Sequence, residues 1–222
     1  MAHRFCSLTR SGNGAAARDS WLDDVRAFGE LSFFPTDLIV SVFRELGLTT
    51  ARVGAELGAE QRLGISYLDF EALQSALPGI EWVDASDMLW TLRSIESEAE
   101  VECIRAACAA VMVAFGTGFP TLTPGLTQEQ VVHRLGAAVL EAGAQVGFII
   151  PTWDPETRQA MACLPSSRPI GEGDVIWVDM GAVYRGYWSD FCRAVSLGQP
   201  SDDLLRCWEA VHRVTMKGVE SV

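Results

Sequence analysis

Two aspartates, Asp179 and Asp190, stand on either side of a short Tyr184-Arg185-Gly186 break in the stretch Val175–Val195. Both flanking runs are apolar and rich in β-formers, so the stretch reads as a β-hairpin. With the turn centred on Tyr184 and Arg185, Asp179 faces Asp190 directly across the ladder. Directly opposed residues have Cβ atoms about 4.5–5.5 Å apart on one face. Two bare carboxylates that close repel, so either one holds a proton or a divalent cation lies between them. Oxygen donors suit hard and borderline ions. A plainer reading makes both acids ordinary solvent-facing residues, but it must also place Trp177 and Trp188 on the same face under a period of two. A one-residue bulge would part the carboxylates. Spacing by itself leaves both readings standing.

The elements that hold this hairpin follow from the pattern on either side of it. Ser97 with Glu100 forms a capping box for a long helix over 98–117, with Ile104, Cys108, Val111 and Phe115 on one face. Thr123-Pro-Gly-Leu-Thr is a turn. Thr127 with Gln130 caps a second helix over 128–142, which Gly143 ends. Val146–Ile150 is a buried strand, 151–170 a proline-rich loop, and Gly171-Glu-Gly-Asp174 the turn into the hairpin. Ser201 caps a last helix on which Leu204, Trp208, Val211 and Met216 recur at helical spacing.

Before residue 93 the pattern differs. Residues 1–30 read as an irregular tail. A helix over 37–46 stops at Gly47, and 51–57 is a strand. A second helix, 67–77, stops at Pro78-Gly79. Residues 80–84 form a strand, and Ser86 caps a short helix through Leu92. Alternating helix and strand implies a small α/β layer with a partly parallel sheet, starting without a strand before its first helix. The polar run Arg93–Glu100 marks a boundary.

Composition narrows the function classes. With 222 residues, 49% hydrophobic and 21% charged, the chain can bury a real core. A net charge of −12 argues against nucleic acid or an anionic membrane as the main partner. The six cysteines contain no C-x-x-C pair, which suits reduced thiols in the cytoplasm rather than a zinc module or disulfide framework. No apolar run is expected to reach the roughly 18 residues of a membrane helix. His133 and His212 fall in helices and read as surface or interface residues, not ligands.

The hairpin motif V-D-x-G-A-x-Y-x-G-Y-x-S-D-x-x-R resembles the creatinase/aminopeptidase P/methionine aminopeptidase superfamily, whose catalytic domain has the pita-bread fold. Leu92–Arg105, Pro124-Gly-Leu-Thr-Gln-Glu and Arg168–Asp174 are similar to the segments that enter that family's two helices and its hairpin, in the same order. The resemblance implies an α/β (α+β) chain: a tail over 1–30, part of a creatinase-like N-terminal domain over 31–92, and the first half of a pita-bread domain over 93–222. It also implies that Asp179 is a terminal carboxylate ligand and Asp190 a bridging ligand of a divalent metal pair, Mn, Zn or Co. The implied reaction is metal-dependent hydrolysis of a small peptide or small amide, of the Xaa-Pro type. A homodimer is compatible with it.

Departures from the family pattern set further expectations. The His and two Glu ligands that family peptidases supply after the hairpin have no counterpart through Val222, so the chain is expected to be an incomplete, inactive fragment with weak or absent metal binding. Many Xaa-Pro peptidases carry a His after the Leu-Pro that precedes the hairpin, whereas Leu164-Pro165 is followed by Ser166-Ser167. That favours, as an alternative, a relative acting on a small amide or guanidino compound; the missing ligands through Val222 set beside it the expectation of a remnant without enzymatic activity.

Overall fold

The computed structural model describes residues 6–10, 22–28, 34–153 and 167–221. The chain divides into two compact units, 1–95 and 96–222. The first opens with two short parallel strands, β1 (Cys6–Arg10) and β2 (Asp24–Phe28), paired from Cys6 opposite Asp24 to Arg10 opposite Phe28. The expected irregular tail over 1–30 therefore contains paired strands, and the unit does not begin at its first helix. Local pattern missed them because each strand is five residues long and its partner is remote in sequence. The Arg26 guanidinium ties β2 to the first helix, α1 (Thr36–Glu45), by an ion pair of 2.7 Å to Glu45, and Asp24 within the strand holds it at 2.8 Å.

α1 ends at Gly47, whose φ of +72° is the left-handed conformation expected of a helix stop. β3 (Arg52–Ala55) pairs in parallel with β4 (Glu81–Asp84), giving the small layered sheet. Between them lies α2 (Tyr67–Ala76), capped by the Ser66 hydroxyl, which accepts from the Asp69 N–H. In α3 (Ser86–Arg93), Ser86 is the first helical residue rather than the cap. Its hydroxyl donates to Asp84 and accepts the Gly58 N–H at 3.0 Å, so tertiary partners take the group that a cap would use. Ile39, Val40, Leu73, Leu77 and Ile80 form the core, with Phe43 and Trp82 against it.

The second unit begins with α4 (Glu98–Gly118) and a complete capping box: Ser97 accepts from the Glu100 N–H, and the Glu100 carboxylate accepts from the Ser97 N–H at 2.7 Å. With the 3₁₀ turn that follows, Glu98–Thr121 is by length and composition long and apolar enough to cross a membrane, contrary to the expectation from sequence. Ala107, Val111 and Ala114 on this helix are fully buried in the core, while Glu102 and Arg105 form an exposed ion pair near its start. α5 (Gln128–Glu141) carries the second capping box, Thr127 with Gln130.

The sheet of this unit is antiparallel. β5 (Gln145–Thr152) pairs with β6 (Val175–Tyr184), and β7 (Tyr187–Trp188) and β8 (Phe191–Ser196) both pair with β6. The period of two along β6 sorts its side chains sharply. Ile176, Val178, Met180 and Ala182 are buried in one core with Val111, Val131 and Leu135 of the two helices. Trp177 and Asp179, on the other face, are half-buried. α6 (Asp202–Glu220) starts at the Ser201 cap and buries none of its residues; Trp208 and Val211 are 58% and 65% exposed.

One hydrogen bond joins the hairpin to α4. The Tyr187 hydroxyl donates to the Glu100 carboxylate at 3.0 Å, so both oxygens of Glu100 are used, one for the cap and one for the hairpin. Tyr187→Phe is expected to lower the thermal midpoint slightly and leave the circular dichroism of the helices unchanged. A midpoint equal to that of the parent chain would show that the bond holds nothing.

Candidate metal centre

The turn of the hairpin decides which residues meet. It falls on Arg185 and Gly186, with φ of +51° and +91°, not on Tyr184 and Arg185 as expected. A two-residue hairpin loop of the favoured twist needs positive φ at both central positions. Gly186 takes it without steric cost, and Arg185 accepts the left-handed region beside it. Tyr184 is then paired with Tyr187 and Val183 with Trp188. Continuing along the ladder, Asp179 stands opposite Cys192, not opposite Asp190.

The partner changes by two residues, so the face does not change. A slip of one would have sent the acids to opposite sides of the sheet. Asp190 follows the Ser189 N–H, which donates to the Ala182 carbonyl at 2.9 Å, and precedes Phe191, which pairs with Met180. It is thus a diagonal neighbour of Asp179, and the two carboxyl groups are in hydrogen-bonding contact. Burial, and then the charge of Asp190, hold the Asp179 carboxyl above the ordinary carboxylate range; a hydrogen bond from the Met180 N–H opposes them.

Small residues make this approach feasible. A Cβ on Gly181 would lie 2.4 Å from the Ser189 carbonyl oxygen and 2.5 Å from the Phe148 ring. The Ser189 hydroxyl accepts the Ala182 N–H at 3.1 Å, replacing a carbonyl in the ladder just before Asp190. Across β5 the register shifts at Gly147, where a Cβ would stand 2.6 Å from the Trp188 indole. Trp188 therefore lies over a backbone gap, 56% exposed. Trp177, paired with Thr152 and Ala194, is on the Asp179 side of β6.

The remaining sequence candidates lie elsewhere. His133 and His212 are exposed on α5 and α6, and His212 stacks on Trp208 at 5.1 Å. Ser166 is outside the described residues; Ser167 is exposed ahead of Arg168, whose guanidinium pairs with Asp174 at 2.7 Å. Cys192, exposed and directly opposite Asp179, was not singled out from sequence. Locating the turn at Arg185-Gly186 would have found it. As the side chains stand, no three ligand groups converge among the described residues. The donor set that does converge is two carboxylates, one raised by burial and by the other. That set fits a hard or borderline divalent cation, whose charge would relieve the repulsion.

Comparisons with known proteins cover both units. Residues 102–222 match the family model described as metallopeptidase family M24, and residues 4–95 match the creatinase/prolidase N-terminal domain. The "Probable dipeptidase PepE" of Mycobacterium tuberculosis is 30% identical over 65% of this chain and 39% of that protein. The Xaa-Pro dipeptidase of Pyrococcus horikoshii is 27% identical over 74% of this chain and 47% of that one. The chain thus spans less than half the length of either relative. Among solved structures, the Xaa-Pro dipeptidase of Bacillus anthracis superposes with a TM-score of 0.81 at 23% identity, over 96% of this chain and 57% of the other.

Proposed function

The chain belongs to metallopeptidase family M24, with a creatinase/prolidase N-terminal domain ahead of part of a pita-bread domain, and from that premise we propose that Asp179 and Asp190 are carboxylate ligands of a divalent metal centre for amide hydrolysis. The observation that carries the reading is the contact between the two carboxyl groups, with Asp179 raised by burial and by Asp190. A structural carboxylate pair would be expected to find a cationic partner instead. The family's relatives include dipeptidases named for Xaa-Pro substrates, which supports a small peptide or small amide as substrate class.

The chemistry that bound divalent ions supply is Lewis-acid activation of an amide carbonyl and of water. The residues of this chain do the positioning. Buried Val178 and Met180 fix β6 against the helices, so Asp179 between them is held on the opposite face. Gly181 and Ser189 let the strand carrying Asp190 approach β6 closely. Trp177, half-buried two residues before Asp179 on the same face of β6, sets apolar surface beside it.

Two carboxylates leave most of a cation's coordination shell to water, an arrangement Mg²⁺ tolerates but a catalytic centre does not. We therefore expect the 222-residue chain by itself to bind Mn²⁺ weakly and to hydrolyse no Xaa-Pro dipeptide. The test is isothermal calorimetry with Mn²⁺ on the parent chain and on an Asp179→Asn, Asp190→Asn double variant, alongside a dipeptidase assay. Weak binding lost in the double variant supports the assignment. Binding that survives in the double variant would place the ion elsewhere, and turnover by the parent chain would overturn the expected silence.

A further inference from the structure

We propose that Cys192 is a third, soft donor to the Asp179–Asp190 centre and biases it toward thiophilic ions such as Zn²⁺, Co²⁺ or Cd²⁺. The inference rests on the metal reading of the two acids and adds to it the residue that the observed register brings beside them. Asp179 is the Cα partner of Cys192 in the β6–β8 ladder. The Ser189–Ala182 hydrogen bond makes that pair a bonded one, so by the alternation of antiparallel ladders Asp179 and Cys192 form a non-hydrogen-bonded pair. In such pairs the side chains stand on one face at the shorter of the two spacings.

The reach suits a shared ion. Zinc lies about 2.0–2.2 Å from a carboxylate oxygen and about 2.3 Å from a thiolate sulfur. Side chains whose Cβ atoms start about 4.5–5.5 Å apart can converge on one ion at those distances. In the structure the three groups have not closed into a cage. Cys192 is an exposed side chain of β8, on the face of the sheet that carries Asp179. Staggered wells are open to an exposed thiol at little cost. Asp179 and Asp190 already act on one another, and Cys192 is the donor that the register adds beside them.

Chemistry gives the consequence. On binding, the S–H bond breaks heterolytically, the proton passes to solvent, and a metal–sulfur bond forms without any redox change. Carboxylate and water suit Mn²⁺ and Mg²⁺, whereas thiolate favours the softer ions. A centre with two oxygen donors and one sulfur donor should therefore rank Cd²⁺ and Zn²⁺ further above Mn²⁺ than the two acids alone would.

The experiment uses the full 222-residue chain, reduced, with Co²⁺, Cd²⁺ and Mn²⁺ as probes. Co²⁺ is expected to produce a near-ultraviolet sulfur-to-metal charge-transfer band. Cd²⁺ is expected to shield Cys192 from iodoacetamide, scored by peptide mapping against Cys103, Cys108 and Cys207 as internal controls. In Cys192→Ser, Cd²⁺ affinity should fall by about ten-fold or more while Mn²⁺ affinity changes by less than about three-fold. In the Asp179→Asn, Asp190→Asn double variant, shielding of Cys192 should disappear. Mn²⁺ binding at the acids with no sulfur band and no shielding would overturn the role of Cys192 and leave the carboxylate centre intact. A band that persists in Cys192→Ser would assign it to another thiol and overturn the proposal equally. If Mn²⁺ also fails to bind the parent chain, both readings fall together.

Discussion

Gly181→Ala is expected to be the most damaging single-methyl substitution in the second unit. The added Cβ would lie 2.4 Å from the Ser189 carbonyl oxygen and 2.5 Å from Cε1 of Phe148. The first contact is with backbone, which cannot swing aside as a side chain can. It falls where the ladder is already irregular, between the Ser189–Ala182 bonds and the pairing of Phe191 with Met180. Overpacking of a tight site costs about 1–3 kcal/mol, and a backbone clash belongs at the upper end. The Asp179–Asp190 contact should open at the same time, because Asp190 is carried on the segment that must retreat.

The comparison that makes this decisive is Gly118→Ala. There the Cβ would meet Cδ2 of Leu135 at 2.4 Å, an equally short contact, but with the far end of a flexible side chain. A rotamer change at Leu135 can absorb it, and alanine improves helix propensity by about 1 kcal/mol over glycine. Gly147→Ala should fall between the two, since its Cβ would meet the Trp188 ring at 2.6 Å and the Gly181 carbonyl at 2.9 Å. Urea midpoints of the three variants should rank in that order. Gly181→Ala as mild as Gly118→Ala would mean that β8 is not held against β6 as tightly as the structure shows.

What the sequence made legible, and what it did not, divides along the range of the forces involved. Both capping boxes, Ser97 with Glu100 and Thr127 with Gln130, involve residues three apart, so they could be read directly and were found as read. The glycine stops at Gly47 and Gly143 are equally local. The hairpin was legible in kind and in face. Its register was not, because Arg185 occupies a left-handed conformation that residue type alone argues against. The period of two protected the conclusion: a misplaced turn that shifts partners by two keeps Asp179 and Asp190 on one side of the sheet. β1 and β2 were missed for the opposite reason, since their pairing joins segments with no local signal. Ser86 shows a third kind of miss. Its local context is that of a cap, and tertiary bonds to Asp84 and Gly58 claim the hydroxyl first.

Asp179→Asn should change stability with opposite signs in the absence and presence of metal. The Asp179 carboxyl is raised by burial and by the Asp190 charge, so the folded chain holds its proton more tightly than the unfolded chain does. For a carboxyl raised on folding, the associated stability is complete below the unfolded value. It is lost as pH rises through the folded one. The metal-free parent chain should therefore lose stability from about pH 4, the ordinary range of a carboxylate, upward through the raised value of Asp179. Asparagine removes that loss. Its amide can donate to Asp190, so the shape of the site survives. At neutral pH without metal, Asp179→Asn should thus melt higher than the parent chain, and the two should converge in acid. Divalent metal reverses the order. A ligand that binds only the folded state stabilises by about 2.7 kcal/mol at a hundred times its Kd, a gain open to the parent chain and denied to a variant lacking the ligand. Thermal melts at pH 3.5 and pH 7.5, each with chelator and with excess Mn²⁺, give the four numbers required. A variant that melts lower than the parent by the same margin at both pH values in chelator would mean that Asp179 is a structural acceptor rather than one half of a strained acid pair.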